Sequence, residues 1–439
     1  MNTNTDSTYT IPVAAPELER GPVWLRKKRH ASRETFNAAP LPRRGLHLWR
    51  YTDPSRFLAG REDAIDHAFS NGYNKSVAGQ RKRVDDGLSA GLVMDFGGRE
   101  IITYGKDTLN DAGVIVTSLS DAVESHHDIV ERHLYELVNA ASGKFEALNG
   151  ALWNDGIFIY VPDNTTVKKP LHIHHEAGSA NSSVFPRLLV VVGRNARLSL
   201  IDEYTGGSND FDAGISNCNG AVEIFGQQDS QVNYVSLQRH GRATQCYLTH
   251  RARVESGARI VTVPLAFGGS LSKANFGVIL NGQAAHSDIY GLLFGTDRQH
   301  FDNHTLHHHA HSQTTSNIDF KAVMQGKSQS AYTGLIRIDQ TSKTCEAYQE
   351  NRNLMLTPGC KVETIPELEI LNEDVSCSHG ATVGEIDPHM IFFLRCRGID
   401  EKQAVRMIVS GFVNTTISKV PEELRDSIAD YTTERLEEI

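Results

Sequence analysis

The sequence predicts a mainly β protein: one long β unit over residues 150–385, a mixed and partly helical segment over 1–149, and a helical segment over 386–439. Two observations carry this prediction. From Ile157 onward, short apolar or alternating runs recur at intervals of roughly 8–13 residues, separated by Gly-containing turns. A looser repetition lies over them, in which a Gly turns the chain and a new alternating run begins, as at Gly193–Leu198, Gly257–Ile260, Gly282–Ala285 and Gly359–Val362. The separations are irregular but fall near multiples or half-multiples of a coil of about 20–25 residues. A parallel β-helix gives this pattern, because each coil buries its face only on its neighbours. A jelly roll and a large β-sandwich give the same local signals, so the pattern alone leaves all three open.

The elements follow in order. Pro16 to His30 starts a helix carrying Arg26, Lys27, Lys28 and Arg29, which reads as a solvated basic face. Leu41 to Arg61, with Pro42, Trp49 and Pro54, is a turn-rich connector, and residues 62–105 carry no clear period. Val114–Thr117 reads as a strand; Ser118–Leu137 reads as a helix capped by Ser120 or Asp121, with Ile129, Leu134 and Leu137 at helical spacing. The β unit has strand cores at Ile157–Val161, Leu188–Val192, Arg197–Ile201, Ala221–Phe225, Val232–Leu237, Arg259–Val263, Val278–Leu280, Ile318–Val323, Leu335–Ile338 and Leu368–Ile370. Turns are expected at Asn154-Asp155-Gly156, Asn219-Gly220, Ser256-Gly257, Asn281-Gly282 and Pro358-Gly359. After His379 the period changes. Asp387 caps a helix with Pro388 at its first position, Gly398 stops it, Asp400 caps the next and Pro421 opens the last.

Composition narrows the function. A net charge of −9 excludes a general nucleic-acid binder. Six scattered Cys exclude a compact disulfide scaffold and any CxxC centre, which points to a reducing, cytoplasmic setting. The first residues lack the basic and apolar regions of a signal peptide, and no apolar run is long enough to span a bilayer. Gly326-Lys327-Ser328 resembles the end of a phosphate-binding loop, but Lys321 stands where that loop requires Gly, so no nucleotide site is assigned.

Three His-containing stretches are candidates for metal chemistry. His172 and His174 share a strand face, as in a cupin site, yet surface or core-edge His on a β-strand is the ordinary reading. His300, His304, His307, His308, His309 and His311 form the densest group, which a stacked polar ladder also explains. Cys377-Ser378-His379 puts a thiol and an imidazole on one strand face, a soft pair that needs further ligands from elsewhere or from another chain.

Several ordered blocks then carry a resemblance. Tyr332-Thr333-Gly334-Leu335, Ala347-Tyr348-Gln349, Asn351-Arg352-Asn353-Leu354, Thr364 to Ile370, Cys377 to Gly384 and Phe392 to Ile399 resemble the SufB/SufD family of iron–sulfur cluster assembly proteins. The match is clearest over residues 300–415, with weaker similarity back to Trp49-Arg50-Tyr51-Thr52-Asp53. The resemblance implies a right-handed parallel β-helix core with N-terminal and C-terminal helical domains. It implies a non-catalytic scaffold that pairs with SufB through its β-helix and carries a SufC ATPase on its C-terminal helices. A transient cluster or iron would sit at the SufB interface. A flavin is associated with the family's complex, although nothing in this sequence shows one.

The paralogue is read from departures. Asn351 stands where SufB-like chains carry Cys, and Ser378-His379-Gly380 replaces their Glu-His-Glu. The resemblance therefore favours a SufD-like member, with His379, accompanied by Cys377, as the interface histidine. Arg395, Arg397, Gly398, Ala404, Ile408 and Phe412 become the expected contacts for SufC. A homodimer in isolation, a SufB-like scaffold that holds the cluster itself, and a His-dependent β-helical or cupin-like metalloenzyme remain the alternatives.

Overall fold

A computed structural model describes residues 10–58, 81–178 and 180–437. Its core is a parallel β-helix with two walls. The first wall stacks Leu171–Ala177, Arg197–Gly206, Gln231–Gln238, Arg259–Ala266, His286–Gly295, Thr315–Met324, Cys345–Met355 and Val375–Glu385. The second stacks Ile157–Val161, Arg187–Val192, Ser216–Gly226, Thr244–Val254, Leu271–Leu280, His300–His309, Gln329–Ile338 and Lys361–Ile370. Successive strands alternate between the walls, so each coil adds one rung to each.

Register fixes the coil length. Gln231 pairs with Arg259, Arg259 with His286 and His286 with Thr315, spacings of 28, 27 and 29 residues. The expected coil of about 20–25 residues is therefore too short. The physical reason is strand length: most rungs run 8 to 11 residues, well beyond the apolar cores visible in the sequence. Many corners turn on a left-handed residue, among them Asn195, Asp229, Gly257, Ala284, Asp297, Gln313 and Gly326. The Gly-led repetition marks these corners, but the left-handed position is not always the Gly itself.

One expected turn is absent. Asn219-Gly220 lies inside Ser216–Gly226. The Asn219 side-chain amide donates to the Phe145 carbonyl at 2.9 Å, and the Asn219 carbonyl accepts from Asn149 at 2.8 Å, so the residue clamps a helix to the wall. A Cβ at Gly220 would come within 2.8 Å of Leu248, so the glycine serves close packing.

Each wall is covered on its outer face. Helices Val23–Ala38 and Lys144–Leu152 lay Leu25, Phe36, Phe145, Leu148 and Leu152 against Phe158, Leu189, Val191, Phe225 and Tyr247 of the second wall. Each such fully buried side chain contributes about 1.5–3 kcal/mol. The helix expected over 118–137 is two: Leu119–Ser125, capped by Ser118, and His127–His133, with a break at His126. Leu134 and Leu137 follow as an irregular segment because Tyr135 adopts φ +67°. Residues 59–80, which cover the end of the expected connector and the first part of the region left without a period, lie outside the described residues. Gly91–Asp95 and Ile101–Tyr104, further along it, are strands.

The C-terminal helices are Pro388–Arg395, Glu401–Ile417 and Glu422–Glu437. Asp387 and Asp400 cap the first two through the backbone N–H groups of His389 and Gln403. The last two pack Val409, Val413, Ile417, Leu424 and Ile428 onto Val235, Val263, Leu265 and Leu292 of the first wall. Asp319 holds them by accepting from Lys419 at 2.6 Å and Thr416 at 3.3 Å. No helix among the described residues is long and apolar enough to cross a membrane.

Candidate functional site at the open end of the β-helix

The two ends of the solenoid differ. At the N-terminal end Gly91–Asp95 extends the first wall, which ends in the short antiparallel strand Ile101–Tyr104; the second ends in the short antiparallel strand Ile115–Ser118. At the C-terminal end Val375–Glu385 and Lys361–Ile370 each pair on one side only. Both are largely exposed, with Leu368, Ile370, Leu371 and Val383 facing solvent. A long strand with a free row of N–H and C=O groups is a template for another chain, and native proteins normally cap or charge it.

Cys377 and His379 lie on this last rung. Register places Cys377 beside Ala347 and His379 beside Gln349. Cys377 is half-buried, packed against Ile336, Ile338, Cys345 and Ala347. Burial, with Cys345 nearby, pushes its thiol pKa up. His379 is exposed, and among the described residues no group hydrogen-bonds its ring. A Cβ added at Gly380 or Gly384 would meet nothing within 4 Å, so the surface beyond is open. Two soft ligands at a free edge can hold a metal or cluster only with ligands from a second chain.

Asn351, one coil inward, is fully buried. Its amide donates to the Phe320 carbonyl at 2.9 Å and accepts from Asn353 at 2.6 Å. The position is a satisfied rung of an interior polar ladder, and an amide offers no thiolate.

His172, His174, His307, His308 and His309 each hydrogen-bond within the fold. His172 hydrogen-bonds Glu203 at 3.0 Å, and His174 bonds Thr205 at 3.0 Å and approaches Glu203 at 3.5 Å. Burial would raise the Glu203 pKa, but these imidazoles outweigh it and hold the carboxyl well below its ordinary value. His307 bonds Ser287 at 2.9 Å; His309 bonds Thr314 at 2.7 Å and Ser316 at 2.8 Å; His308 bonds Asp339 at 2.9 Å. Burial lowers His307 from 6.5 to about 3 and His309 to about 4, despite Asp288 near the former.

This has a consequence for acid stability. Between pH 6.5 and about 4 the unfolded chain protonates these imidazoles while the fold keeps them neutral. The unfolded state then binds more protons, and stability falls as pH drops through this window. The urea midpoint is expected to decline over that range in the wild type and to decline less steeply in His307→Gln. An equal slope in the two proteins would refute this.

The C-terminal residues divide. Arg395 and Arg397 are exposed beside Met390, Phe392 and Phe393, the latter two 68% and 57% accessible. Arg397 stacks on Phe393 at 3.5 Å, and Arg395 pairs with Glu401 at 3.1 Å. Gly398 makes the turn at φ +83°. Ala404, by contrast, is fully buried and has no surface to offer a partner. Ile408 is half-buried, as is Phe412, whose carbonyl accepts from Lys321 at 2.8 Å. The apolar stripe of this helix mostly serves the protein's own wall, and the exposed apolar surface lies one helix earlier.

Comparison with known proteins fits this architecture. The family model described as the SUF system FeS cluster assembly, SufBD core domain, matches residues 174–412; the SufBD protein N-terminal region matches residues 19–173. An iron-sulfur cluster assembly SufBD family protein of Staphylococcus saprophyticus is 24% identical over 424 residues, covering 95% of this chain and 90% of the relative. The iron-sulfur cluster assembly protein SufB of Bacillus subtilis is 24% identical over 427 residues, with the same coverages. With both family regions matched end to end around a β-helix left open at one end, the chain belongs to the SufB/SufD family of SUF-system iron–sulfur cluster assembly proteins.

Proposed function

We propose that this chain is a SufD-like scaffold subunit that acts in the cytoplasm, without catalysis of its own, in a complex with a SufB-like chain and a SufC-like ATPase. The observation that carries the reading is the uncapped last coil, with Cys377 and the unpartnered His379 on its exposed rung. There a SufB-like β-helix adds strands to the free edges and brings the missing ligands. The nascent cluster, or its iron, is then cargo held between two chains. Asn351 supports the SufD-like role, since the chain lacks the thiol that would let it hold a cluster by itself.

The SufC-like ATPase docks on the exposed helix Pro388–Arg395 and the turn after it, through Phe392, Phe393, Arg395 and Arg397. Nucleotide binding by that partner biases the two β-helices between a closed and an open arrangement, by contacting one better than the other. The similarity to Bacillus subtilis SufB keeps the SufB-like scaffold as the second reading.

The test is co-purification of the full chain with SufB-like and SufC-like chains, followed by native mass measurement and cluster reconstitution. A complex containing all three is expected, with a stable cluster only when the SufB-like chain is present. A stable cluster on this chain alone would establish the second reading, and a lone monomer that never recovers the partners would overturn both.

A further inference from the structure

A second place in the chain gathers metal-ligating atoms, inside the β-helix and far in sequence from the open end. Cys218 lies on Ser216–Gly226 and Cys246 on the adjacent rung Thr244–Val254, where register makes the two direct neighbours. His240 comes from the corner leading into the second of these strands. All three are buried, and their ligand atoms lie within 4.8 Å of one another. No other group of three His, Cys, Asp or Glu side chains among the described residues meets this condition.

The imidazole is prepared for coordination. His240 Nδ1–H donates to the Thr205 carbonyl at 2.9 Å, which fixes the tautomer and leaves Nε2 with its lone pair free. Nε2 is buried and has no hydrogen-bond partner. A buried acceptor left unmet is costly, so a group that fills it is favoured.

The surroundings favour a cation. Asp95 and Asp202 lie near Cys218, and between them stands one imidazolium, His175, at 2.8 and 3.0 Å. Two carboxylates against one positive ring leave the lumen net negative. Two thiolates would neutralise a divalent ion, which lowers the cost of holding it in a dry interior.

Distance and access agree. Around a tetrahedral zinc ion, thiolate and imidazole ligands sit about 3.5–4 Å apart, a separation inside the 4.8 Å limit that the three ligand atoms meet here. His240 also lines a cavity of about 380 Å³ between the wall and the last helix, bordered by Arg239, Arg242, Gln299, Tyr431 and Glu434. Of the three residues His240 alone borders that cavity, so an exchangeable fourth ligand is placed on its side.

We propose that Cys218, His240 and Cys246 form a binding site for a divalent thiophilic metal ion of the zinc or iron(II) class, with the fourth position open toward the cavity. The site stands on lumen geometry and does not depend on which paralogue the chain is.

The test is cobalt(II) titration of the reduced, metal-free full chain, in the Cys377→Ser/His379→Gln background so that the open end cannot contribute. One equivalent is expected, with thiolate-to-cobalt charge-transfer bands and the intense visible bands of tetrahedral coordination. Cys246→Ser and His240→Gln should each weaken binding at least tenfold, with melting followed as a fold control. X-ray absorption of the zinc-loaded protein, which needs no lumen variant, should count two sulfur ligands. A zinc shell without sulfur, bands that survive Cys218→Ser/Cys246→Ser, or no thiolate band at all would overturn the proposal.

Discussion

Glu223→Ala is expected to lose about 3–5 kcal/mol of stability, the scale for removing one partner of a buried ion pair. Glu223 and Arg187 are both wholly inaccessible, 2.7 Å apart on neighbouring rungs of the second wall. Glu223 also accepts the backbone N–H groups of Tyr135, Leu137 and Val138, at 3.0, 2.8 and 3.0 Å. Arg187 donates to Asn149 at 2.9 Å and to the Val138 carbonyl at 2.8 Å, and lies over the Tyr135 ring. One carboxylate thus organises the irregular segment after His133 and locks the N-terminal helices to the wall. Removing it strands a buried guanidinium and three backbone donors. The double variant Arg187→Met/Glu223→Leu removes both charges and should recover part of the loss, although the backbone donors remain unmet. Denaturant unfolding of the wild type and the two variants measures this; a single-variant loss below about 1 kcal/mol would show that the network is not a structural lock.

His379→Ala is expected to leave stability unchanged within about 0.5 kcal/mol, because the ring is exposed and makes no hydrogen bond among the described residues. Cluster formation in the reconstituted complex should nonetheless fall by roughly tenfold or more, the scale for disturbing a metal's ligand sphere. Cys377→Ser should cost less in assembly, since its thiol is half-buried and its pKa raised. The pairing of measurements decides the matter. If melting and assembly fall together, His379 is a packing residue; if neither moves, the open end is not the cluster site.

Parts of this molecule were legible in the sequence because they depend on local chemistry. The C-terminal helices were announced by Asp387, Pro388 and Asp400, whose side chains act within three residues of themselves. The all-β class showed in apolar runs such as Leu188–Val192, which are buried on both faces and therefore do not alternate. The coil length was not legible, because polar residues such as Ser216, Asn217 and Asn219 continue the strands beyond their apolar centres. That error hid a site. With a coil near 28 residues, Cys218 and Cys246 fall on adjacent rungs, whereas a shorter coil separates them. Asn219-Gly220 misled for the opposite reason: its turn chemistry is overridden by a tertiary clamp and tight packing. Cys377 and His379 stand out in the sequence as a thiol and an imidazole on one face by strand alternation, and the family likeness adds the interface role.

The inequality of the two ends sets a limit on growth. A solenoid with both ends free could stack head to tail into a filament, since each added molecule would present a fresh edge. Here one end stops in the four-residue antiparallel strands Ile101–Tyr104 and Ile115–Ser118, too short to template much pairing, whereas Val375–Glu385 and Lys361–Ile370 offer long parallel edges of 11 and 10 residues. A molecule with a single adhesive terminus stops at a pair. The rung that carries His379 therefore has one neighbour to meet, and the same asymmetry that leaves this edge uncovered keeps it from seeding a fibre.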